Sequence, residues 1–181
     1  MSEIVVTLEC ECIGGKLLPC AILVWCLFSL GQARQEETVE ECERNIPASL
    51  KGRVCELRQY TPVQGKDMDS HMQCVLEVLG FVEYNGELLF QELLGVLKMV
   101  DPDGDHAGSM KKCNAEAEKV DTSSKANTFY TCFLGTSSAQ AFKYAVDYVE
   151  LLRAGKLDMG TTFNAGQVSA LMKQIDDGLC N

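Results

Sequence analysis

Two features constrain the fold of this 181-residue chain more than any other: an apolar segment near its N-terminus and the cysteines that follow it. The run Leu17–Gly31 is apolar and follows Lys16, and Gly31-Gln32-Ala33 offers small residues for cleavage. The run is short for a transmembrane helix and has the flanks of a secretory signal. We therefore predict a leader over residues 1–33 and a single exported domain over residues 34–181. An uncleaved membrane anchor is the alternative.

The predicted domain keeps an even number of cysteines. They are Cys42, Cys55, Cys74, Cys113, Cys132 and Cys180. In an exported chain, six cysteines predict three disulfides, although their spacing leaves the pairing open. None of the six lies in a CxxC motif, and the chain has two histidines. A zinc site is therefore not expected, and we expect no other metal or cofactor.

The charge of the predicted domain limits its partners. Without Lys16, Glu3, Glu9 and Glu11, the chain has 15 basic and 23 acidic residues, a net charge of −8. An acidic chain without a basic stripe is a poor candidate for binding nucleic acid or an anionic membrane. A cationic small molecule suits it better.

Helical periodicity runs through the domain, and no segment alternates convincingly with a period of two. The sequence therefore predicts an all-α fold of about seven or eight helices. The predicted helices begin near Thr38, Pro47, Asp69 or Ser70, Leu88, Ser109, Lys125, Ser138 and Asn164.

The helix predicted over Ser138–Gly155 has an unusually wide apolar arc, with Ser138 as its N-cap and Gly155 as its end. A helix of this kind is buried on several sides. Its acidic strip consists of Asp147 and Glu150, one turn apart. Either the strip faces water, with Lys143 pairing Asp147, or the two carboxylates face a cationic group inside the protein.

Familiar catalytic and metal-binding motifs do not account for the chain. Asp101–Asp105 begins like a calcium loop, but His106 and Lys112 stand where an EF-hand needs glycine and glutamate. The segment is a polar turn between helices. There is no nucleophile elbow and no phosphate-binding glycine loop, so we expect no enzymatic activity.

Three polar residues lie two or three positions from a cysteine in predicted helices: Arg58, His71 and Tyr130. If those cysteines form buried disulfides, their neighbours are drawn toward the core. The alternatives are surface positions for Arg58 and His71 and a core aromatic for Tyr130. Glu43, beside Cys42, is most simply a surface acid.

Three segments carry a resemblance at the level of individual residues. They are Thr38–Pro47, Arg53–Tyr60 and Lys66–Cys74. These segments resemble the short-form D-seven salivary proteins of mosquitoes, which are single-domain relatives of insect odorant-binding proteins. The resemblance extends over the whole predicted domain and includes all six cysteines.

The resemblance implies an odorant-binding-protein-like helical domain with three disulfides and an internal ligand pocket. The implied disulfides are Cys42–Cys74, Cys55–Cys180 and Cys113–Cys132. The implied ligand-binding residues are Glu43, Arg58, His71, Tyr130, Asp147 and Glu150.

The function that the resemblance implies is sequestration. The protein is then a secreted, monomeric salivary scavenger of serotonin, histamine and catecholamines, which antagonises host vasoconstriction, platelet activation and inflammation. The alternatives are an anticoagulant that binds contact-pathway coagulation factors and a carrier of eicosanoid- or odorant-type apolar ligands. An apolar ligand would leave the six polar pocket groups unpaired, at a cost of about 1–3 kcal/mol each.

Overall fold

The computed structural model describes residues 38–180, so the predicted leader lies outside the described residues. Short 3₁₀ turns lie at Lys51–Arg53 and Thr122–Ser124. The α-helices of the described chain are α1 (Val39–Arg44), α2 (Val54–Arg58), α3 (Lys66–Val78), α4 (Phe90–Val100), α5 (His106–Ala117), α6 (Lys125–Leu134), α7 (Ala139–Arg153) and α8 (Ala165–Cys180). The all-α prediction and the predicted number of helices are confirmed.

Residues 38–180 also contain one isolated antiparallel β-bridge. The bridge joins Val82 to Leu88, and it closes a turn between α3 and α4. None of the helices in this part of the chain is both long and apolar enough to cross a membrane.

Helix starts follow local capping chemistry at both ends of the described chain. Thr38 and Glu41 form a reciprocal capping box at the start of α1. Asn164 Oδ1 accepts a hydrogen bond from the Gln167 backbone N–H at 2.9 Å, as an N-cap of α8 should. The start predicted for α3 was too late, because the helix begins at Lys66, directly after Gly65.

Ser138 is the N-cap residue of α7, as predicted, but its side chain makes no capping hydrogen bond. Its hydroxyl lies 2.9 Å from His106 Nδ1, and His106 Nε2 lies 2.8 Å from the Asp101 carbonyl oxygen. The carbonyl can only accept, so the Nε2 N–H donates to it. His106 is buried, and this chain of hydrogen bonds fastens the Asp101–Asp105 turn to the start of α7.

Helix α7 occupies the middle of the core, as its wide apolar arc predicts. It packs against α4, α6 and α8. The ring of Phe142 is fully buried and lies 4.9 Å from the ring of Phe133 and 6.4 Å from that of Phe129, between ring centroids. Tyr148 and Leu151, further along the helix, are buried in a second apolar cluster with residues of α8.

Three disulfides link pairs of helices in the described chain, which confirms the predicted number. Cys42–Cys74 joins α1 to α3, and Cys113–Cys132 joins α5 to α6. Cys55–Cys180 joins α2 to the end of α8 across 125 positions of sequence. These are the pairs that the resemblance implies.

We expect Phe142→Ala to lower the free energy of unfolding by about 3–5 kcal/mol, because it leaves a cavity beside the rings of Phe129, Tyr130 and Phe133. Urea unfolding followed by circular dichroism measures this change. Tyr84→Ala is the control, since Tyr84 is 80% exposed and its loss should leave stability almost unchanged. Equal midpoints for the two variants would contradict the central place of Phe142 in the core.

Candidate functional site

A cavity of about 50 Å³ lies where α1, α2, α3, α6, α7 and α8 meet. All of the polar residues that the resemblance implies for a ligand site line it, namely Glu43, Arg58, His71, Tyr130, Asp147 and Glu150. The rest of the wall is mostly apolar and includes Val39, Leu57, Met68, Met72, Val75, Leu76, Val146 and Met172. The fold thus brings together six residues from five helices around one space.

The Arg58 guanidinium links three helices at one side of this cavity. Its Nη1 donates to Glu150 Oε1 at 2.7 Å, and its Nη2 donates to Glu43 Oε2 at 2.8 Å. Each of the three side chains is no more than 10% exposed. Arg58 and Glu43, for which surface positions were alternatives, are therefore buried partners. The planar fork of arginine suits this two-sided pairing.

Electrostatics hold Arg58 in its charged form. Burial by itself lowers the pKa of Arg58, but the nearby charges of Glu150 and Glu43 more than offset it and raise the pKa above its ordinary value. Burial raises the pKa of the Glu150 carboxyl to about 7, against the opposing effect of Arg58. Glu43 and Asp147 add to that rise because like charges repel.

Asp147 faces the interior, which decides between the two alternatives for the acidic strip. Its Oδ1 accepts a hydrogen bond from the Tyr60 hydroxyl, and Asp147 lines the cavity. Burial raises the pKa of Asp147 to about 6, while the bond from Tyr60 acts in the opposite direction. The Lys143–Asp147 ion pair of the water-facing alternative is not formed in the described chain. The Nζ of Lys143 lies 5.3 Å from the centroid of the Tyr60 ring.

His71 and Tyr130 supply neutral polar groups to the same cavity. Burial lowers the pKa of His71 to about 4, and the charge of Arg58 adds to this effect. His71 is therefore uncharged at neutral pH, and its buried Nδ1 has no hydrogen-bond partner among the described residues. Tyr130 is buried, and burial raises the pKa of its hydroxyl, which remains a donor.

Two further residues belong to the site, and the sequence reasoning missed both. Tyr60 follows α2, and its hydroxyl contacts Asp147. The sequence Tyr60-Thr-Pro62 predicts only a loop and gives no sign of that contact. Asp176 on α8 lies with its Oδ1 3.9 Å from Arg58 Nε. A signal for Asp176 did exist, since it lies one turn before Cys180, as Arg58 lies one turn after Cys55.

Comparison with known proteins places this site in a family. The PBP/GOBP family model matches residues 32–136, which is more than half of the chain. Short form salivary protein D7R3 of Anopheles gambiae is 98% identical over 167 residues, covering 92% of this chain and 99% of that protein. The chain belongs to the short-form D-seven salivary proteins. Short form salivary protein D7R2 of the same species is 63% identical over 91% of this chain and 98% of that protein.

Two solved D-seven structures share the fold. The Anopheles gambiae D7R4–norepinephrine complex has a TM-score of 0.74 and 37% sequence identity, covering 79% of this chain and 99% of that one. The AeD7–leukotriene E4 complex has a TM-score of 0.58 and 19% identity, covering 80% of this chain and 50% of that one. The odorant-binding-protein-like fold prediction is confirmed, and the second neighbour supports the fold alone.

Residue types found in metal-binding and catalytic sites also occur in the part of the chain that the structure describes. No group of three or more His, Cys, Asp or Glu residues there is placed to hold a metal ion. Ser138, His106 and Asp101 do lie together, in an order that suggests a hydrolytic triad. Ser138 is only 3% exposed, and its hydroxyl also contacts Ser109 at 3.1 Å. A substrate carbonyl could not reach it, so the cluster is structural.

We expect His71→Gln to reduce the loss of stability in acid. The pKa of His71 is about 4 when folded and 6.5 ordinarily, so between these values the unfolded chain binds a proton that the folded chain does not. Stability therefore falls as the pH falls through this range. Between pH 7.5 and pH 5 the native protein should lose about 2 kcal/mol more than the variant. Urea unfolding at both pH values measures the difference, and parallel losses would contradict a buried neutral His71.

Proposed function

We propose that this short-form D-seven protein is secreted in saliva and sequesters biogenic amines such as serotonin, histamine and catecholamines, one per molecule, in the cavity beside Arg58. By removing these mediators it would antagonise host vasoconstriction, platelet activation and inflammation. The protein would act by stoichiometry and not by turnover. Its relatives support the salivary part of the proposal by their names, and the predicted leader over residues 1–33 supports export.

The observation that carries the proposal is an excess of carboxylates over cations around the cavity. Glu43, Asp147 and Glu150 line the cavity, and Asp176 lies beside Arg58 with about a third of its side chain exposed. All four act on the guanidinium of Arg58, and Lys143 adds a weaker positive charge near Asp147. Burial raises the pKa of Asp147, Glu150 and Asp176, so their ionised forms are disfavoured in this environment. A second cation would favour those ionised forms and offset part of their desolvation.

The ammonium of an amine fits between Asp147 and Glu150. Within the described residues, Tyr60 bonds Oδ1 of Asp147, and Arg58 bonds Oε1 of Glu150. The second oxygen of each carboxylate is left for a ligand. A primary ammonium has three N–H donors, so it can bond both carboxylates at once. Charge-assisted hydrogen bonds of this kind contribute about 1.5–3 kcal/mol each.

The aromatic end of such a ligand meets different chemistry. The unpaired Nδ1 of His71 and the hydroxyl of Tyr130 can bond a ring hydroxyl or an indole N–H. Apolar side chains of α3, including Met68, Met72 and Leu76, can pack against the ring. The site therefore combines carboxylates, which suit an ammonium, with neutral polar groups, which suit the ring of an aromatic amine.

The side chains around the cavity can adjust when a ligand binds. The free space at its centre is about 50 Å³. Methionine side chains reorient easily, and three of them line the wall. Arg58, Glu43 and Glu150 also line a neighbouring groove of about 380 Å³, so the two spaces share these three side chains.

A solved relative gives independent support for an amine. The D7R4 complex, 37% identical to this chain, contains norepinephrine. Norepinephrine carries a protonated amine and a hydroxylated ring, which are the two features that the described site would recognise.

We expect serotonin to bind one to one and Asp147→Asn to weaken it by at least about tenfold, because one charge-assisted hydrogen bond is lost. Isothermal titration calorimetry measures both. Asp158→Asn, the same change at an exposed position, is the control for total charge. The proposal fails if no amine produces heat of binding, or if both variants lose affinity equally. A parallel titration with eicosanoids tests the apolar-carrier alternative.

We also expect amine affinity to fall in acid. The pKa values of Glu150 and Asp147 are about 7 and about 6, so protons compete with the ammonium as the pH falls through this range. The amine itself stays charged, as a lysine side chain does. Affinity should decrease at least about tenfold between pH 7.5 and pH 5.5. A flat profile in calorimetry would show that these carboxylates do not hold the ammonium.

A further inference from the structure

The backbone of Tyr60 is unusual. Its φ is 59°, and within the described residues no other non-glycine residue has a positive φ. The left-handed region is unfavourable for bulky side chains, and residues held there often have a functional role.

The helix end itself does not require a tyrosine. The Thr61 N–H bonds the Glu56 carbonyl at 3.0 Å, and the Tyr60 N–H bonds the Leu57 carbonyl at 2.9 Å. This is the Schellman pattern that ends many helices, and its left-handed residue is usually glycine or sometimes asparagine. Either would terminate α2 with less strain. The reason for a tyrosine must therefore lie in its side chain.

The side chain of Tyr60 reaches α7 with both its ring and its hydroxyl. The hydroxyl contacts Asp147 Oδ1 and also lies 3.1 Å from the Lys143 carbonyl oxygen. A phenol has one proton to donate, so it can satisfy only one of these acceptors at a time. The ionised carboxylate is the stronger acceptor. When Asp147 is protonated, the carboxyl can donate to Tyr60, and Tyr60 can donate to the carbonyl.

We propose that Tyr60 is a positioning residue for amine binding, whose hydroxyl holds one oxygen of the Asp147 carboxylate so that the other is presented to the ligand's ammonium. This inference rests on the proposed amine-binding function and assigns a role to a residue outside the set that the resemblance implies. The strained backbone of Tyr60 is the consequence of directing a long side chain from the end of α2 onto α7.

The electrostatic surroundings of Asp147 make this role testable by pH. Arg58 from α2, Lys143 on the same helix and the Tyr60 hydroxyl favour the ionised carboxylate. Burial and Asp176 from α8 oppose ionisation, and Glu150 lies one turn away. Removing the Tyr60 hydroxyl takes away one favourable contribution. The pKa of Asp147 should then rise, and protons should compete with an amine at a higher pH.

The experiment is Tyr60→Phe, which keeps the ring beneath Lys143 and removes only the hydroxyl. We expect serotonin affinity at pH 7.5 to fall by about three- to tenfold. The pH at which half of the affinity is lost should move upward by about half a unit or more. Tyr144→Phe is the matched control, because the Tyr144 ring packs against Phe163 and does not line the cavity.

A second readout needs no ligand. Carbon-detected NMR titration of the free protein reports the Asp147 carboxyl directly. A higher Asp147 pKa in Tyr60→Phe than in Tyr144→Phe supports the proposed hydrogen bond, and equal values overturn it. Unchanged serotonin affinity in Tyr60→Phe, or an equal loss in both variants, also overturns the positioning role. If the native protein binds no amine, the proposed function fails, and the titration still decides whether Tyr60 holds Asp147.

Discussion

The buried guanidinium of Arg58 is the interaction on which the rest of the site depends. It bonds Glu43 of α1 and Glu150 of α7, and Asp176 of α8 lies within 3.9 Å. Four helices therefore share one positive charge. Breaking a buried ion pair by removing one partner costs about 3–5 kcal/mol, because the remaining charge is left without a partner. Because Arg58 bonds Glu150 on α7, it fixes the orientation of that helix, and Asp147 faces inward beside Glu150.

The disulfides explain why these residues meet. Most of the polar residues in and beside the cavity lie within about one helical turn of a half-cystine. The neighbouring pairs are Glu43 and Cys42, Arg58 and Cys55, His71 and Cys74, Tyr130 and Cys132, and Asp176 and Cys180. A disulfide fixes the position of the backbone on either side of it, so residues one turn away are placed with it. The covalent framework and the polar site are therefore parts of the same arrangement of helices.

This relation also shows how far the sequence could predict the structure. Helical periodicity predicted the helices and the deep burial of α7, because burial follows the width of an apolar arc. Periodicity could not decide whether Asp147 faced water or the interior, because Asp147 and Glu150 lie at the margin of the apolar arc of α7. It could not anticipate Tyr60, whose backbone lies in a region where a tyrosine is rare. It placed the N-cap of α7 correctly at Ser138 but could not show that the hydroxyl contacts His106, which lies on another helix.

The same cluster that would bind a cation also weakens the folded protein. Raised pKa values at Asp147 and Glu150 mean that folding disfavours their charged forms, and the unpaired Nδ1 of His71 is a further cost. A protein selected for stability alone would fill this space with apolar side chains. The three disulfides and the aromatic core offset such costs and allow the unfavourable cluster to persist. A ligand with a positive charge and a polar ring would relieve both costs at once. A neutral analogue of the same shape would relieve only the cost at His71, so the buried charge would favour the cation over that analogue.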